Sequence, residues 1–367
     1  MGNSALSTPR RIDCSVQEES RHRGPTTTPQ FGKDEFNHRL DKKLRRELGP
    51  EVLSILGDER TEDILLNPDC SLWVKRLAEG FVRFGHMPPS EAASALGTIA
   101  TWRGTVINHD RPILETELPL DGSRFEAIVP PVVRQPVFAI RLRPRKIFTL
   151  NDYETSGILS GRADPLNEFR TAQDSRAALN GLGHADIIRA AVRGKKNILI
   201  AGGTGSGKTT LANGILDDLG RLAPDDRVIS IEDTNELQCS VKNYLDLKAT
   251  GNVTMLDCLR ACMRLKPTRI VVGEVRGAEA HTLLKAWNTG HPGGIATIHA
   301  NDAMSALIRL ESLVAEATAA PQQTLIAEAV DLVVFVDDEP GLKAGRKVRE
   351  LLLVTGWANG QYLVERV

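Results

Sequence analysis

Residues 202–210 read Gly-Gly-Thr-Gly-Ser-Gly-Lys-Thr-Thr, and those types in that order suit one task, holding phosphate. Gly202, Gly203, Gly205 and Gly207 leave the backbone free to curl, so that successive amide N–H groups point at an anion. Thr204 and Ser206 fill the curl. Lys208 adds a positive charge on a flexible stem for β- and γ-phosphates, and the Thr209 hydroxyl is placed to ligate a magnesium ion. Thr210 carries the chain into the next element. Gly202, Gly207, Lys208 and Thr209 fit G-x-x-x-x-G-K-[ST], a pattern with meaning only between a strand and a helix. Both flank it here: apolar Asn197-Ile198-Leu199-Ile200 before, and a helix-like segment from Leu211 after. The expected ligand is a nucleotide, with magnesium.

Three further places carry suitable chemistry, each just after an apolar strand-like run. Arg227-Val228-Ile229-Ser230-Ile231 is followed by Glu232-Asp233-Thr234, whose adjacent carboxylates could hold a magnesium ion or its waters. Arg269-Ile270-Val271-Val272-Gly273 is followed by Glu274, with Arg276 two residues on. That run resembles the magnesium-binding strand of phosphate-loop enzymes, but Gly273 stands where many of them have Asp. Metal ligation is therefore expected to rest on Thr209, water and Glu232, leaving Glu274 to orient or deprotonate the attacking water. Gly294-Ile295-Ala296-Thr297-Ile298 ends at His299, where an imidazole could contact a terminal phosphate. Alone, each acid reads equally well as a helix cap or surface turn. Following three strands beside a phosphate loop, they support one another.

The elements that must position these groups follow from the patterning. From residue 184 onward apolar runs alternate with amphipathic helices, as in a parallel sheet covered on both faces, where ligands bind at the carboxyl ends of the strands. Upstream, Phe36, Leu40, Leu44 and Leu48 recur every fourth residue among Lys and Arg, a basic amphipathic helix that Gly49-Pro50 should end. This helix suits an anionic membrane surface or, more plainly, the core of its own domain. Short strand candidates at 63–66, 72–74, 81–84, 124–129 and 137–143 surround a helix from Pro88, with Ser90 as its N-cap. Arg124, Arg141 and Arg143 sit at strand ends; taken singly each reads as a solvated surface residue. The expected organisation is a disordered tail 1–32, a smaller α+β N-terminal domain 33–150, a linker 151–183 and an α/β phosphate-loop domain 184–367. The C-terminal residues read as a hairpin closing across Ala358-Asn359-Gly360, with no catalytic group.

Composition narrows the class. A chain of 367 residues with 41% hydrophobic content and net charge −1 has material for two ordinary cores and no overall attraction to nucleic acid. No apolar run approaches the length of a membrane span, and a cytoplasmic protein is expected. The five cysteines form no C-x-x-C pair. Cys258 and Cys262 share a helix face and read as packing residues.

The loop 202–210, Ile231-Glu232-Asp233-Thr234-Asn235-Glu236-Leu237, Val272-Gly273-Glu274-Val275-Arg276-Gly277 and Gly290-His291-Pro292-Gly293-Gly294 through His299-Ala300, in that order, resemble the Walker A motif, Asp box, Walker B motif and His box of the secretion-ATPase superfamily. Within it the likeness is closest to the TrbB-type conjugal-transfer ATPases of type IV secretion systems, extending upstream through Pro112-Ile113-Leu114-Glu115, Leu118 to Phe125 and Val129 to Val133. The resemblance implies a RecA-like ATPase domain and a hexameric ring, with nucleotide between the two domains and Arg124, Arg141 or Arg143 closing on the phosphates. It also implies inner-membrane secretion components as partners, peripheral attachment to the cytoplasmic face, and no sequence-specific nucleic-acid binding. Two other classes share the phosphate loop. A RecA-like motor acting directly on DNA should carry aromatic strand-contacting loops, whereas aromatics are 4% of this chain. A non-hydrolysing nucleotide-binding assembly factor should lack a strand-end Glu such as Glu274.

Overall fold

The computed structural model describes residues 30–143, 149–159 and 181–367; most of the expected tail and residues 160–180 of the expected linker lie outside them. The first helical segment, α1, spans Gln30–Gly57 as two helical runs that meet at Gly49-Pro50, where the first run ends as expected. Gly49, at φ 75° and ψ 165°, breaks the helical geometry between them. A left-handed glycine ends one helical run, and Pro50, whose missing N–H is no loss in a first turn, starts the next. Packing decides the outcome, because Val52 and Leu56 beyond the kink enter the same core as Leu44 and Leu48 before it.

Strands β1 (Thr61–Leu66), β2 (Ser71–Arg76) and β3 (Gly80–His86) precede helix α2 (Pro89–Arg103), and β4 (Ile113–Glu117), β5 (Arg124–Ile128) and β6 (Val137–Arg141) follow it. They form an antiparallel sheet in the order β3-β2-β1-β6-β5-β4. Pro88, not Ser90, occupies the N-cap of α2, and no side chain caps it. Alternation along the strands gives two apolar faces. Ile64, Leu66, Phe125, Ala127, Phe138 and Ile140 pack with α1 and α2, while Leu65, Ile128, Val137 and Ala139 join the core of the second sheet.

After the short helix α3 (Leu150–Thr155), the second unit runs α4 (His184–Arg193), β7 (Ile198–Gly202), α5 (Lys208–Leu222), β8 (Arg227–Glu232), β9 (Asn243–Lys248), α6 (Met255–Cys262) and β10 (Arg269–Val272). It continues with α7 (Glu279–Asn288), β11 (Ile295–His299), α8 (Ala303–Ala315), α9 (Gln323–Ala329), β12 (Leu332–Asp338), β13 (Arg346–Ala358) and β14 (Gln361–Arg366). The sheet order is β14-β13-β12-β7-β11-β10-β8-β9, parallel from β12 to β9 and antiparallel at the last two strands. Asn359 (φ 54°) and Gly360 (φ 75°) supply the left-handed turn that a tight hairpin requires. Cys258 and Cys262 are buried in α6, and burial pushes the Cys258 thiol up to about 12, as suits packing residues.

Polar contacts join the two units. Fully buried Arg227 donates through Nη1 to Asn67 Oδ1 at 2.7 Å and through Nε to Leu265 O at 2.9 Å, and it also bonds Asn243. Lys266–Asp63 at 3.1 Å, Arg264–Glu115 at 2.8 Å and Arg134–Asp246 at 2.9 Å add ion pairs. Glu126, 2% exposed and facing Glu115 across the β4–β5 ladder, has no partner for Oε2 among the described residues. Burial raises its carboxyl to about 8, outweighing the opposing pull of Arg264.

The folded state therefore holds a proton on Glu126 that the unfolded chain releases near pH 4.5, so this group's contribution costs stability progressively as pH rises from 4.5 to about 8. Glu126→Gln is expected to raise the melting temperature clearly at pH 9 and to have little effect at pH 4.5. Thermal melts across that range check it; a pH-independent difference would refute the assignment.

Candidate nucleotide-binding site

Strand β7 is buried along its whole length at the centre of the sheet, and the chain leaves it through Gly203-Thr204-Gly205-Ser206 into α5. Gly205 (φ 79°) and Gly207 (φ 92°) take left-handed conformations that side chains disfavour. Gly207 is the N-cap of α5 and offers no capping side chain, so the free N–H groups of the first turn are left to an anion. Ser206 Oγ closes the loop by donating to Gly203 O at 2.9 Å.

Lys208 is 7% exposed, and its ammonium donates to Gly202 O at 3.1 Å and Gly203 O at 2.8 Å, with His299 Nδ1 at 3.2 Å. Burial pulls its pKa down, with the Glu274 charge acting the other way. His299 arrives by register, because β11 runs parallel to β7 and sets His299 beside Gly202. Its Nε2 lies 3.0 Å from Glu274 Oε1. Arg276 donates to the other Glu274 oxygen at 2.7 Å and to Asp233 at 2.5 Å. Burial works to raise the Glu274 carboxyl, but Arg276, His299 and Lys208 together hold it below its ordinary value, so it is a carboxylate at neutral pH.

Glu232, at the end of β8, is 3% exposed; its Oε1 accepts the N–H groups of Glu236 and Leu237, each at 2.9 Å. Burial raises its pKa, and the two N–H groups work against that. Thr209, Glu232, Asp233, Gly273, Glu274 and Arg276 line one cavity of about 90 Å³. Among the described residues no three carboxylate, imidazole or thiol groups cluster as an all-protein metal cage. Magnesium usually takes one or two carboxylates together with substrate oxygens and waters, so Thr209 and Glu232 beside the phosphate loop fit it. Gly273 explains the missing Asp: a Cβ there would stand 2.8 Å from Glu232 Cγ.

The three sequence-selected arginines come together elsewhere. Arg124 and Arg141 are direct neighbours across the β5–β6 ladder, and Arg143 donates to Glu117 at 3.0 Å. With Trp102 and Arg103 they line a cavity of about 880 Å³ that includes no residue of the phosphate loop or of the Glu274 cavity. One residue near the loop had no signal in the local sequence. Arg346, at the start of β13, lies against Gly207 and brings Nη1 within 3.5 Å of Thr210 Oγ1.

Comparison with known proteins agrees with this arrangement. Residues 167–338 match the family described as Type II/IV secretion system protein. The chain is 43% identical over 327 residues to a probable conjugal transfer protein TrbB of Sinorhizobium fredii, covering 89% of this chain and 93% of that protein. It is likewise 43% identical to a conjugal transfer protein TrbB of Rhizobium radiobacter, covering 89% and 94%. Among solved structures it is similar to the VirB11 ATPase of the Brucella suis type IV secretion system in complex with sulphate, with TM-score 0.75 and 26% identity over 87% of this chain and 96% of that one.

Gly273→Ala should displace the Glu232 carboxylate without touching the loop. Nucleotide affinity in the absence of magnesium should stay close to wild type, while the gain on adding magnesium and any turnover fall about tenfold or more. Calorimetric titrations with and without magnesium test this; an unchanged magnesium gain would remove Glu232 from the metal site.

Proposed function

The chain belongs to the TrbB-type conjugal-transfer branch of the type II/IV secretion family, and on that footing we propose that it is a magnesium-dependent ATP hydrolase working as a homohexamer. In this reading it powers conjugal DNA or protein transfer, or pilus assembly, through a type IV secretion machine. Its partners are inner-membrane components of that machine, met peripherally at the cytoplasmic face. Among the described residues no helix is long and apolar enough to cross a membrane. The observation that carries the reading is the connected run Lys208–His299–Glu274. It links a phosphate-holding cation to an ionised strand-end carboxylate through one imidazole.

The loop amides and Lys208 hold the phosphates, and ATP takes over the hydrogen bonds that Lys208 now gives to Gly202 O and Gly203 O. Magnesium held by Thr209 and Glu232 would neutralise charge on the β- and γ-phosphates. Glu274 orients the attacking water and accepts its proton as the water oxygen bonds to the γ-phosphorus and the bond to the β-phosphate oxygen breaks. His299, beside Lys208, senses whether the γ-phosphate is present. Arg124 and Arg141 close on the phosphates from the N-terminal domain of the same or an adjacent subunit. The two face each other across the β5–β6 ladder, with Glu117 opposite Arg124 and Asp63 opposite Arg141 on the outer sides of the pair. Arg143 is engaged by Glu117, so Arg124 and Arg141 are the stronger candidates.

The test measures magnesium-dependent ATP hydrolysis against protein concentration, with mass by light scattering with and without ATP. The specific rate should rise with assembly into a ring, and Glu274→Gln should lower turnover at least about a hundredfold while retaining nucleotide binding. Equal rates from monomer and ring would refute the inter-subunit role of the arginines. Intact binding with no wild-type turnover would favour an assembly factor.

A further inference from the structure

We propose that Arg346 is a nucleotide-binding residue that reaches the α-phosphate of ATP held by loop 202–210; the proposal rests on the nucleotide reading above. The β12–β13 ladder sets Arg346 directly opposite Asp338. An Arg–Asp pair across a ladder is a favourable arrangement, yet no ion pair joins them, and Arg346 forms none with any other described residue. The guanidinium instead lies along the phosphate loop. A Cβ on Gly207 would stand 2.7 Å from both Cδ and Nη1 of Arg346, and Nη1 is 3.5 Å from Thr210 Oγ1. At the end of β7 itself a Cβ on Gly202 would collide with Val336 O of β12, the strand paired beside β7.

Sheet order assigns the phosphate. In β12-β7-β11, the loop leaving β7 has β11 on one flank and β12 on the other. Lys208 turns to the β11 flank, where it meets His299. In a loop of this pattern the Lys serves the β- and γ-phosphates, while backbone N–H groups cradle the α- and β-phosphates. Thr210 stands two residues past Lys208, in the first turn of α5, and Arg346 meets its hydroxyl from the β12 flank. An exposed guanidinium there has several N–H donors free for the phosphate nearest the nucleoside. Cations thus flank the triphosphate on both sides, Lys208 toward the reacting end and Arg346 toward the nucleoside end.

The experiment titrates full-length wild type, Arg346→Ala, Arg346→Gln, Arg346→Lys and Lys208→Ala with ADP and with a non-hydrolysable ATP analogue by calorimetry. Melting curves confirm that each variant is folded. Arg346→Ala and Arg346→Gln should weaken both ligands by the same factor, about tenfold, and Arg346→Lys should recover part of the loss. Arg346→Gln keeps a long polar stem, so equal losses in the two variants assign the effect to the charge. An ADP affinity within twofold of wild type would overturn the proposal. So would a loss confined to the ATP analogue, which would move Arg346 to the γ-phosphate. A wild type that binds neither ligand, or a Lys208→Ala variant that binds both as well as wild type does, would instead defeat the nucleotide reading and the proposal with it.

Discussion

Every group in the site depends on the parallel register of the central strands. Pairing β11 with β7 places His299 beside Gly202, and pairing β10 with β8 sets Val272 beside Ile231. Glu274 and Glu232 consequently emerge at the same edge as the phosphate loop. A slip of one residue would turn each strand's side chains to the opposite face, so the buried Ile, Val and Leu of these strands fix where the chemistry stands. The apolar core is in this sense a jig for the polar end.

The fold was legible where the signal is local. Strand ends at Glu232, Glu274 and His299 can be found from the apolar runs before them, because a strand buried on both faces is a short continuous block. The end of the first helical run at Gly49-Pro50 was legible, but its resumption was not. Gly-Pro ends a helix by local rules, and only the shared core of Leu48 and Val52 shows that the chain resumes helically. The same limit applies to the site. Gly273 looked like a lost metal ligand until Glu232, 41 positions away in sequence, was seen to occupy the space of its Cβ. Arg346 meets Thr210 across 136 positions, and nothing in the hairpin's own pattern marks it. For Arg124 and Arg141, strand ends were readable but their facing each other was not, since that depends on the β5–β6 register.

Two buried arginines show how the frame tolerates charge. Arg269 is 1% exposed and pairs with Asp226 at 2.6 Å while donating to Gly293 O and Val192 O. Arg227, equally buried, has only amide and carbonyl oxygens as direct acceptors, and burial lowers its pKa to about 10, still cationic at neutral pH. Removing either would leave several acceptors unpaired, a larger cost than the net worth of the bonds. Both lie at the starts of their strands, β8 and β10, opposite the reactive ends. One end of the sheet is thus fastened by satisfied buried cations, and the other presents polar groups to a ligand.

That contrast bears on how a bound phosphate could be felt across the molecule. The Lys208 ammonium has three donors, and Gly202 O, Gly203 O and His299 all stand within reach of it. An entering phosphate must compete for those donors, and His299, on losing Lys208, remains tied to Glu274. Glu274 is in turn held by Arg276, which also grips Asp233 beside the strand carrying Glu232. The exchange at the lysine therefore reaches β11, β10 and β8 through hydrogen bonds and ion pairs, without requiring the buried strands to move. The contacts joining the second sheet to the N-terminal unit combine the Arg227–Asn67 bond and ion pairs with an apolar patch of Leu65, Ile128, Val137 and Ala139. A charge change at the loop thus meets the buried sheet first and this mixed polar and apolar junction beyond it.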